Sequence, residues 1–447
     1  MNNDIKYSII IPTLNEEAFI AKCLESTRNN IPNAEIIIAD GGSADKTTDI
    51  CKQYDVKILN SIKGRGRQLN EGAKTASGEI LIFLHADTFL PDNAFNLIED
   101  FFANPKNNIC RFLLGFDFNN KMLDLYTAFS KYDTLFKRFG DSAIIVRNNF
   151  FNRLNGFEDS ETFEDVNFFK RASKLSKVEI LKDSVVSSSR RFIQNGVIYQ
   201  QLLNIFLFIG YLLKIKIQTL SKMYNKKTSK SNTDSIIIFL RYPKNGQVKT
   251  RLAKTTSSEF ATSFYKSCAE NIVKNVKKIP GINRFAFYSN EDEKEKIIGW
   301  LGSKLFFSPQ QGNDLGNRMK NAFEKIFSTG SQKVIIIGTD IPDLSKELIR
   351  DAFNSLDSND VVIGPSEDGG YYLFGVKKMH TKLFDGIEYS TSSVLSETLA
   401  RVKDLNLTYH LLPVLPDIDT EKDLIKWLNN NVVTSIKTEI KLAYKTA

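Results

Sequence analysis

Two aspartates stand where a carboxylate can do chemistry. Asp87 follows the apolar run Ile80–Leu84 by way of His85 and Ala86, and Asp340 closes the segment VIIIGTD that begins at Val334. Apolar runs without alternation read as strands buried on both faces, and open α/β sheets bind ligands at the C-terminal tips of such strands. A carboxylate delivered there offers hard oxygen to Mg²⁺ or Mn²⁺. The recurrence predicts two similar α/β domains in tandem, each organised around one strand-end aspartate.

The elements that must position Asp87 come first. Tyr7–Ile11 reads as a strand, stopped by Pro12-Thr13-Leu14-Asn15-Glu16-Glu17, with a helix from Ala18 to Arg28. Glu35–Ala39 reads as the next strand and ends in Asp40-Gly41-Gly42-Ser43, where glycine permits positive φ and Ser43 could cap a following helix. This turn suits a nucleotide base or ribose, although such turns also occur without a ligand. Gly64-Arg65-Gly66-Arg67 and the residues through Asn70 gather backbone N–H groups and guanidinium forks at a helix start, as a diphosphate needs; the bland alternative is a solvated basic turn. Farther on, Glu164-Asp165 stands in an apolar frame at a helix start, either stabilising the helix dipole or serving as general base.

SIIIPTLNEE, ADGGS, GRGRQLNEGA, FLHADT and a late Glu-Asp, in that order, resemble the family 2 glycosyltransferases with the GT-A fold over about the first half of the chain. The resemblance implies that Asp40 contacts the nucleotide, with Pro12, Asn15, Glu16, Gly41, Arg65, Arg67 and Asn70 as its neighbours in binding. It implies that Asp87 coordinates a divalent cation on the diphosphate and that Asp165, with Glu164 beside it, supplies the catalytic base. Most members carry Asp-x-Asp at this strand end, and here the first position is His85, either a ligand or a packed neighbour. FLHADT together with FGDSAIIVRNNFF, FEDVNFF and Arg190-Arg191-Phe192 looks like the arsenosugar-biosynthesis-type, radical-SAM-associated subfamily.

In the second half, the strand Ile236–Leu240 runs into a turn with Pro243 and Gly246 that carries Arg241, Lys244, Lys249 and Arg251, a triphosphate cradle or a basic loop. The Gly-Lys-Ser/Thr order of a P-loop is missing. Asp314 to Arg318 opens an amphipathic helix ahead of Asp340. The strand Asp360–Gly364 leads to Glu367-Asp368-Gly369-Gly370-Tyr371, and Pro416-Asp417-Ile418-Asp419 forms a late acidic tip. These motifs closely resemble a second GT-A-like family, related to nucleotidyltransferases such as 2-phospholactate guanylyltransferase. The resemblance implies a nucleotide-phosphate role for Lys249 and Arg251 beside Arg241, Lys244, Gly246 and Arg318. It also implies metal coordination by Asp340 with Asp419, and substrate contacts from Glu367, Asp368, Gly369, Gly370 and Tyr371.

Composition limits the remaining choices. A chain of 447 residues, 42% hydrophobic and 25% charged, is an ordinary globular protein of more than one core. A net charge of +8 from 60 basic and 52 acidic residues is too thin for a nucleic-acid-binding face but favours anionic small molecules such as nucleotide sugars and nucleoside triphosphates. Cys23, Cys51, Cys110 and Cys268 show no disulfide or zinc spacing, three histidines exclude a His-rich metal site, and the start lacks a signal peptide's pattern, so a cytoplasmic location is expected.

The apolar run Leu202–Leu213 is too short to cross a bilayer and is followed by Lys214, Lys216 and Lys222 with no acid before Asp234. A packed terminal helix and an interfacial helix touching anionic lipid are both open. The boundaries expected are a first domain at 1–225, a linker at 226–234 and a second domain at 235–447. The favoured expectation is a bifunctional transferase acting on a small-molecule or lipid-linked acceptor. The rivals are a second domain that holds a nucleotide without turnover, and a membrane-surface glycosyltransferase.

Overall fold

The computed structural model describes residues 7–130, 142–159, 163–225, 234–389, 391–430 and 435–446. Phe139, Gly140, Asp141, Thr162 and the linker residues 226–233 lie outside the described residues. The chain divides into two compact units, the first mainly before residue 228 and the second mainly after it.

The first unit contains strands β1 (Tyr7–Thr13), β2 (Glu35–Asp40), β3 (Lys57–Asn60), β4 (Ile80–Phe83), β5 (Thr88–Phe89), β6 (Ile109–Phe116), β7 (Ile144–Arg147) and β8 (Glu179–Ser187). They form one sheet in the order β3-β2-β1-β4-β7-β6-β8-β5. β1 is parallel to both β2 and β4, with Ile10 opposite Phe83, whereas β7 runs antiparallel to β4. The unalternated apolar runs are buried on both faces, as a sheet covered by helices on each side requires. Ile9, Ile11, Ile36, Ile38, Ile80 and Ile82 join one core, and Ile10, Leu81, Phe83, Ile144 and Phe168 join the other.

The second unit contains β9 (Asp234–Leu240), β10 (Ile282–Tyr288), β11 (Phe306–Pro309), β12 (Lys333–Ile337), β13 (Val361–Pro365), β14 (Tyr371–Val376) and β15 (Tyr409–Leu411), in the order β11-β10-β9-β12-β14-β13-β15. Again the first four strands of that order are parallel, and β14 is antiparallel to β12 and β13. Ile236, Ile238, Ile335 and Ile337 lie in its main core.

Helix starts follow local chemistry. Asp314 accepts from the Asn317 amide at 2.7 Å to cap helix Leu315–Ser328, and Thr420 and Asp423 form a capping box at helix Glu421–Asn429. Ser43 does not cap a helix: helix Thr47–Cys51 starts later, and the Ser43 hydroxyl donates to Asp40 at 2.5 Å. Ser43 Oγ also accepts from the Asn15 amide at 2.9 Å, so the acceptor that a cap would offer to a helix N–H serves the turn after β1 instead.

Candidate active sites

A cleft of about 430 Å³ opens past the C-terminal ends of β1 and β4 in the first unit. Pro12 and Glu16 reach it from the segment at the end of β1, His85 and Asp87 from the turn after β4, Arg65 from the start of helix Arg65–Thr75, and Arg190 and Arg191 from the segment after β8. Arg190 is the organiser of its charges. Its Nη2 lies 3.2 Å from Glu16 Oε1 and 3.6 Å from Asp87 Oδ2, and its guanidinium stacks 5.0 Å over the Phe19 ring. Burial pushes the Glu16 carboxyl up, Arg190 opposes that push, and the nearby Asp87 charge adds to it.

Around the cleft the turns are locked from within. Asp40 is buried and its carboxylate accepts from Thr13 Oγ1, the Gly42 and Ser43 amides and Ser43 Oγ at 2.5–2.9 Å. Burial works against its charge, but these donors outweigh burial and hold its pKa below the ordinary value. Gln68 donates to the carbonyls of Thr13 and Ala39 at 2.9 and 2.7 Å, tying helix Arg65–Thr75 to the ends of β1 and β2. Gly66 is the residue that lets this helix approach the acidic pair: a Cβ there would meet the Glu158 carbonyl at 2.3 Å and the Glu164 Cβ at 3.3 Å. Arg65 Nε then lies 3.3 Å from the buried Glu164 carboxylate.

The second unit has its own cleft, of about 670 Å³, past the ends of β9 and β12. Here the charges gather on Lys249, whose side chain is 4% exposed. Its Nζ lies 3.4 Å from Asp340, 3.1 Å from Asp417 and 3.3 Å from Asp419, and Arg251 reaches Asp419 at 3.0 Å. The buried neighbours Val248 and Leu252 anchor the loop, and Lys249 itself takes a left-handed φ of 45°. Burial opposes the ammonium charge, but the three carboxylates outweigh it and hold the Lys249 pKa above the ordinary lysine value. Asp417 is pushed up to about 6, chiefly by burial, with Lys249 opposing and the Asp340 charge adding.

Residues 8–159 match the Glycosyl transferase family 2, and residues 272–391 match a family described as an uncharacterized protein conserved in bacteria, DUF2064. The 2-phospho-L-lactate guanylyltransferase of Methanocaldococcus vulcanius is 30% identical over 196 residues, 42% of this chain and 82% of that protein. The chain joins a family 2 glycosyltransferase domain to a DUF2064 domain related to 2-phospho-L-lactate guanylyltransferase. The poly-beta-1,6-N-acetyl-D-glucosamine synthase of Staphylococcus epidermidis is 39% identical over 107 residues, 22% of this chain and 26% of that enzyme. A solved protein of Desulfovibrio desulfuricans G20, assigned to the nucleotide-diphospho-sugar transferases, is 32% identical and covers 48% of this chain and 98% of its own, with a TM-score of 0.46. The chain spans only 26–36% of the length of the first glycosyltransferase relatives it matches. Each domain is built on one mixed sheet, parallel at one side and antiparallel at the other.

Several residues expected at the sites are placed elsewhere. In the glycosyltransferase domain, Arg67 pairs with Asp159, and the Asn70 amide clamps the Phe157 backbone in both directions at 2.9 Å. Asn15, with a φ of 58°, receives the Ala44 amide and so shapes the Asp40 turn. Asp165 is buried in the first turn of helix Glu164–Ala172 and does not line the cleft; Phe163 before it has a φ of 64° and stacks on Tyr211 at 5.0 Å. In the DUF2064 domain, Arg241, Lys249, Arg251, Arg318, Asp340, Tyr371 and Asp419 line the cleft, whereas Lys244 and Gly246 sit on the exposed loop. Glu367 pairs with Lys426 at 2.6 Å, and Asp368 caps the Gly369-Gly370 turn by accepting from Ser366 Oγ at 2.5 Å and the Gly370 amide at 3.1 Å.

Sequence reasoning passed over Arg190 and Asp417 as site residues. Asp417 and Asp419 are two apart, a spacing that sets both on one side of an extended segment, and this signal was available. Among the described residues no group of three or more acidic, His or Cys side chains is arranged to hold a metal ion. In the DUF2064 domain the Lys249 ammonium lies at the focus of three carboxylates. Lys249 and Arg251 set two positive charges against three carboxylates, so an excess negative charge remains and the oxygen set fits a hard divalent cation. In the glycosyltransferase domain, Asp87 with His85 nearby fits one less fully, because Arg190 already answers the Asp87 and Glu16 charges.

Proposed function

We propose that the glycosyltransferase domain transfers a glycosyl unit from a nucleotide-diphosphate sugar to an acceptor hydroxyl, and that the DUF2064 domain is a metal-dependent transferase acting on a nucleoside triphosphate. The observation that carries this reading is a cation bridging strand-end carboxylates in each cleft, Arg190 in one and Lys249 in the other. In the first cleft, Arg65 and Arg190 receive the diphosphate, Glu16 orients Arg190, and Asp87 with His85 beside it would hold a divalent cation once the diphosphate draws Arg190 away. A bound divalent cation would disperse charge on the departing diphosphate. Asp165 remains the proposed base: it is buried behind the cleft lining, next to Glu164, which Arg65 of the cleft wall holds.

In the second cleft, Arg241, Arg251 and Arg318 receive phosphates, while Asp340 and Asp419, with Asp417, would hold a divalent cation. Nucleotidyl transfer is favoured over glycosyl transfer there because the guanylyltransferase relative matches over most of its length. The finer assignment of the first domain, to arsenosugar-type glycoconjugates, is supported by the motif likeness alone.

The test is a thermal-shift screen of nucleotide sugars and nucleoside triphosphates with Mn²⁺ or Mg²⁺ on the wild type, Asp87→Ala and Asp340→Ala. Ligand binding raises the apparent stability of the native state with occupancy. A nucleotide sugar is expected to lose its shift only in Asp87→Ala, and a triphosphate only in Asp340→Ala. A triphosphate shift that survives Asp340→Ala would remove the second assignment.

A further inference from the structure

We propose that the outer face of helix Val197–Leu212 docks on an anionic membrane surface. Ile198, Leu202, Ile205, Phe206, Ile209 and Leu212 recur at helical spacing along one side, and each is 40–61% exposed. Single exposed apolar residues are ordinary, but a continuous stripe of large ones along roughly 24 Å of helix marks a contact surface. The opposite side of the same helix is used: Gln200 is buried, and with Asn204 it lines the glycosyltransferase cleft. A second helix, Ile217–Asn225, covers one flank, where a Cβ on Gly210 would meet Leu220 at 2.7 Å, and it leaves the stripe open.

Charge selects the occupant. From Ser184 to Thr233 the sequence has no Asp or Glu and six lysines, in a chain whose acids and bases are otherwise nearly matched. Lys214, Lys216 and Lys222 follow the stripe and are exposed. A second copy of the chain would set these lysines against one another, whereas anionic headgroups satisfy them while the acyl boundary takes the apolar side chains. No described helix is long and apolar enough to cross a membrane, so the contact is with the surface. The docking rests on the stripe and the lysines, not on the glycosyl-transfer reading. That reading adds its consequence, an acceptor presented to the cleft from the lipid surface.

The full-length chain is to be sedimented with phosphatidylcholine vesicles and with vesicles also containing phosphatidylglycerol, at low and high salt. Binding is expected to the anionic vesicles at low salt. It should fall about tenfold or more in Leu202→Glu with Phe206→Glu, and also in Lys214→Glu with Lys216→Glu, with circular dichroism and melting unchanged. The lysine variant keeps the test open if the first variant folds poorly. Absence of binding, or binding indifferent to both variants, overturns the proposal. So does a dimer in light scattering that Leu202→Glu with Phe206→Glu splits, which would make the stripe an interface between copies.

Discussion

The two domains repeat one sheet plan yet answer the same charge problem from opposite ends of their own sequences. In each, the strand beside the first parallel strand leads to an aspartate, Asp87 after β4 and Asp340 after β12. The cation that meets it arrives late in the glycosyltransferase domain, as Arg190 past the long β8 strand, and early in the DUF2064 domain, as Lys249 in the loop after β9. Arg190 is 25% exposed and rests on a ring; Lys249 is 4% exposed and is enclosed by acids. The fold therefore fixes where the carboxylate stands, while loops decide which cation answers it and how firmly.

Breaking the firmer of the two should cost most. Lys249→Met leaves Asp340, Asp417 and Asp419 facing one another in a half-buried site, and triphosphate turnover is expected to fall about a hundredfold or more, measured as pyrophosphate release. Glycosyl transfer should stay within about twofold, since the carboxylates that Lys249 pairs with all belong to its own domain. An equal loss in both activities would sink the picture of two separate centres.

Arg190→Ala should have a smaller effect, about tenfold on glycosyl transfer, because the guanidinium is partly solvated and Glu16 and Asp87 can rehydrate once it is gone. Arg190→Lys should fall between wild type and Arg190→Ala, keeping the charge but not the fork. If Arg190→Ala matched Lys249→Met in severity, exposure would not be what separates the two cations.

The mildest test compares the anchors at the strand starts. Glu35 binds Ser8 Oγ at 2.5 Å, the Ser77 amide at 2.8 Å and Lys57, whereas Asp360 binds the Thr408 amide and hydroxyl and pairs with Lys377 at 3.1 Å. Burial opposes the charge on Glu35, but these donors lower its pKa from 4.5 to about 2. A depressed carboxylate stabilises the fold above its unfolded pKa and loses that contribution as pH falls toward its folded one. Glu35→Gln is therefore expected to lower Tm at pH 7, with the gap to wild type closing between about pH 4.5 and pH 2. A gap that held constant across that range would show that the carboxylate charge is not what anchors β2.

Much of this plan was legible in the residues. The runs at Ile80 and Val334 are apolar without a break because both faces of β4 and β12 are covered, and that signal survives in any order of reading. What stayed hidden was long-range pairing. Arg190 lies 174 positions from Glu16, and nothing local in Arg190-Arg191-Phe192 says which carboxylate it meets. Polar residues in Gly-rich turns look alike whether they face a ligand or the protein itself, which is why Arg67, Asn70 and Asp368 read as ligand contacts while their side chains hold loops together.

The left-handed backbone at Lys249 constrains what can replace it. A non-glycine residue in that region carries a strain of roughly 1–2 kcal/mol, so glycine alone would relax the loop, and glycine brings no ammonium. Any other neutral residue would keep the strain and lose the charge as well. Geometry at this position thus favours glycine and electrostatics favours a cation, and no single replacement meets both demands.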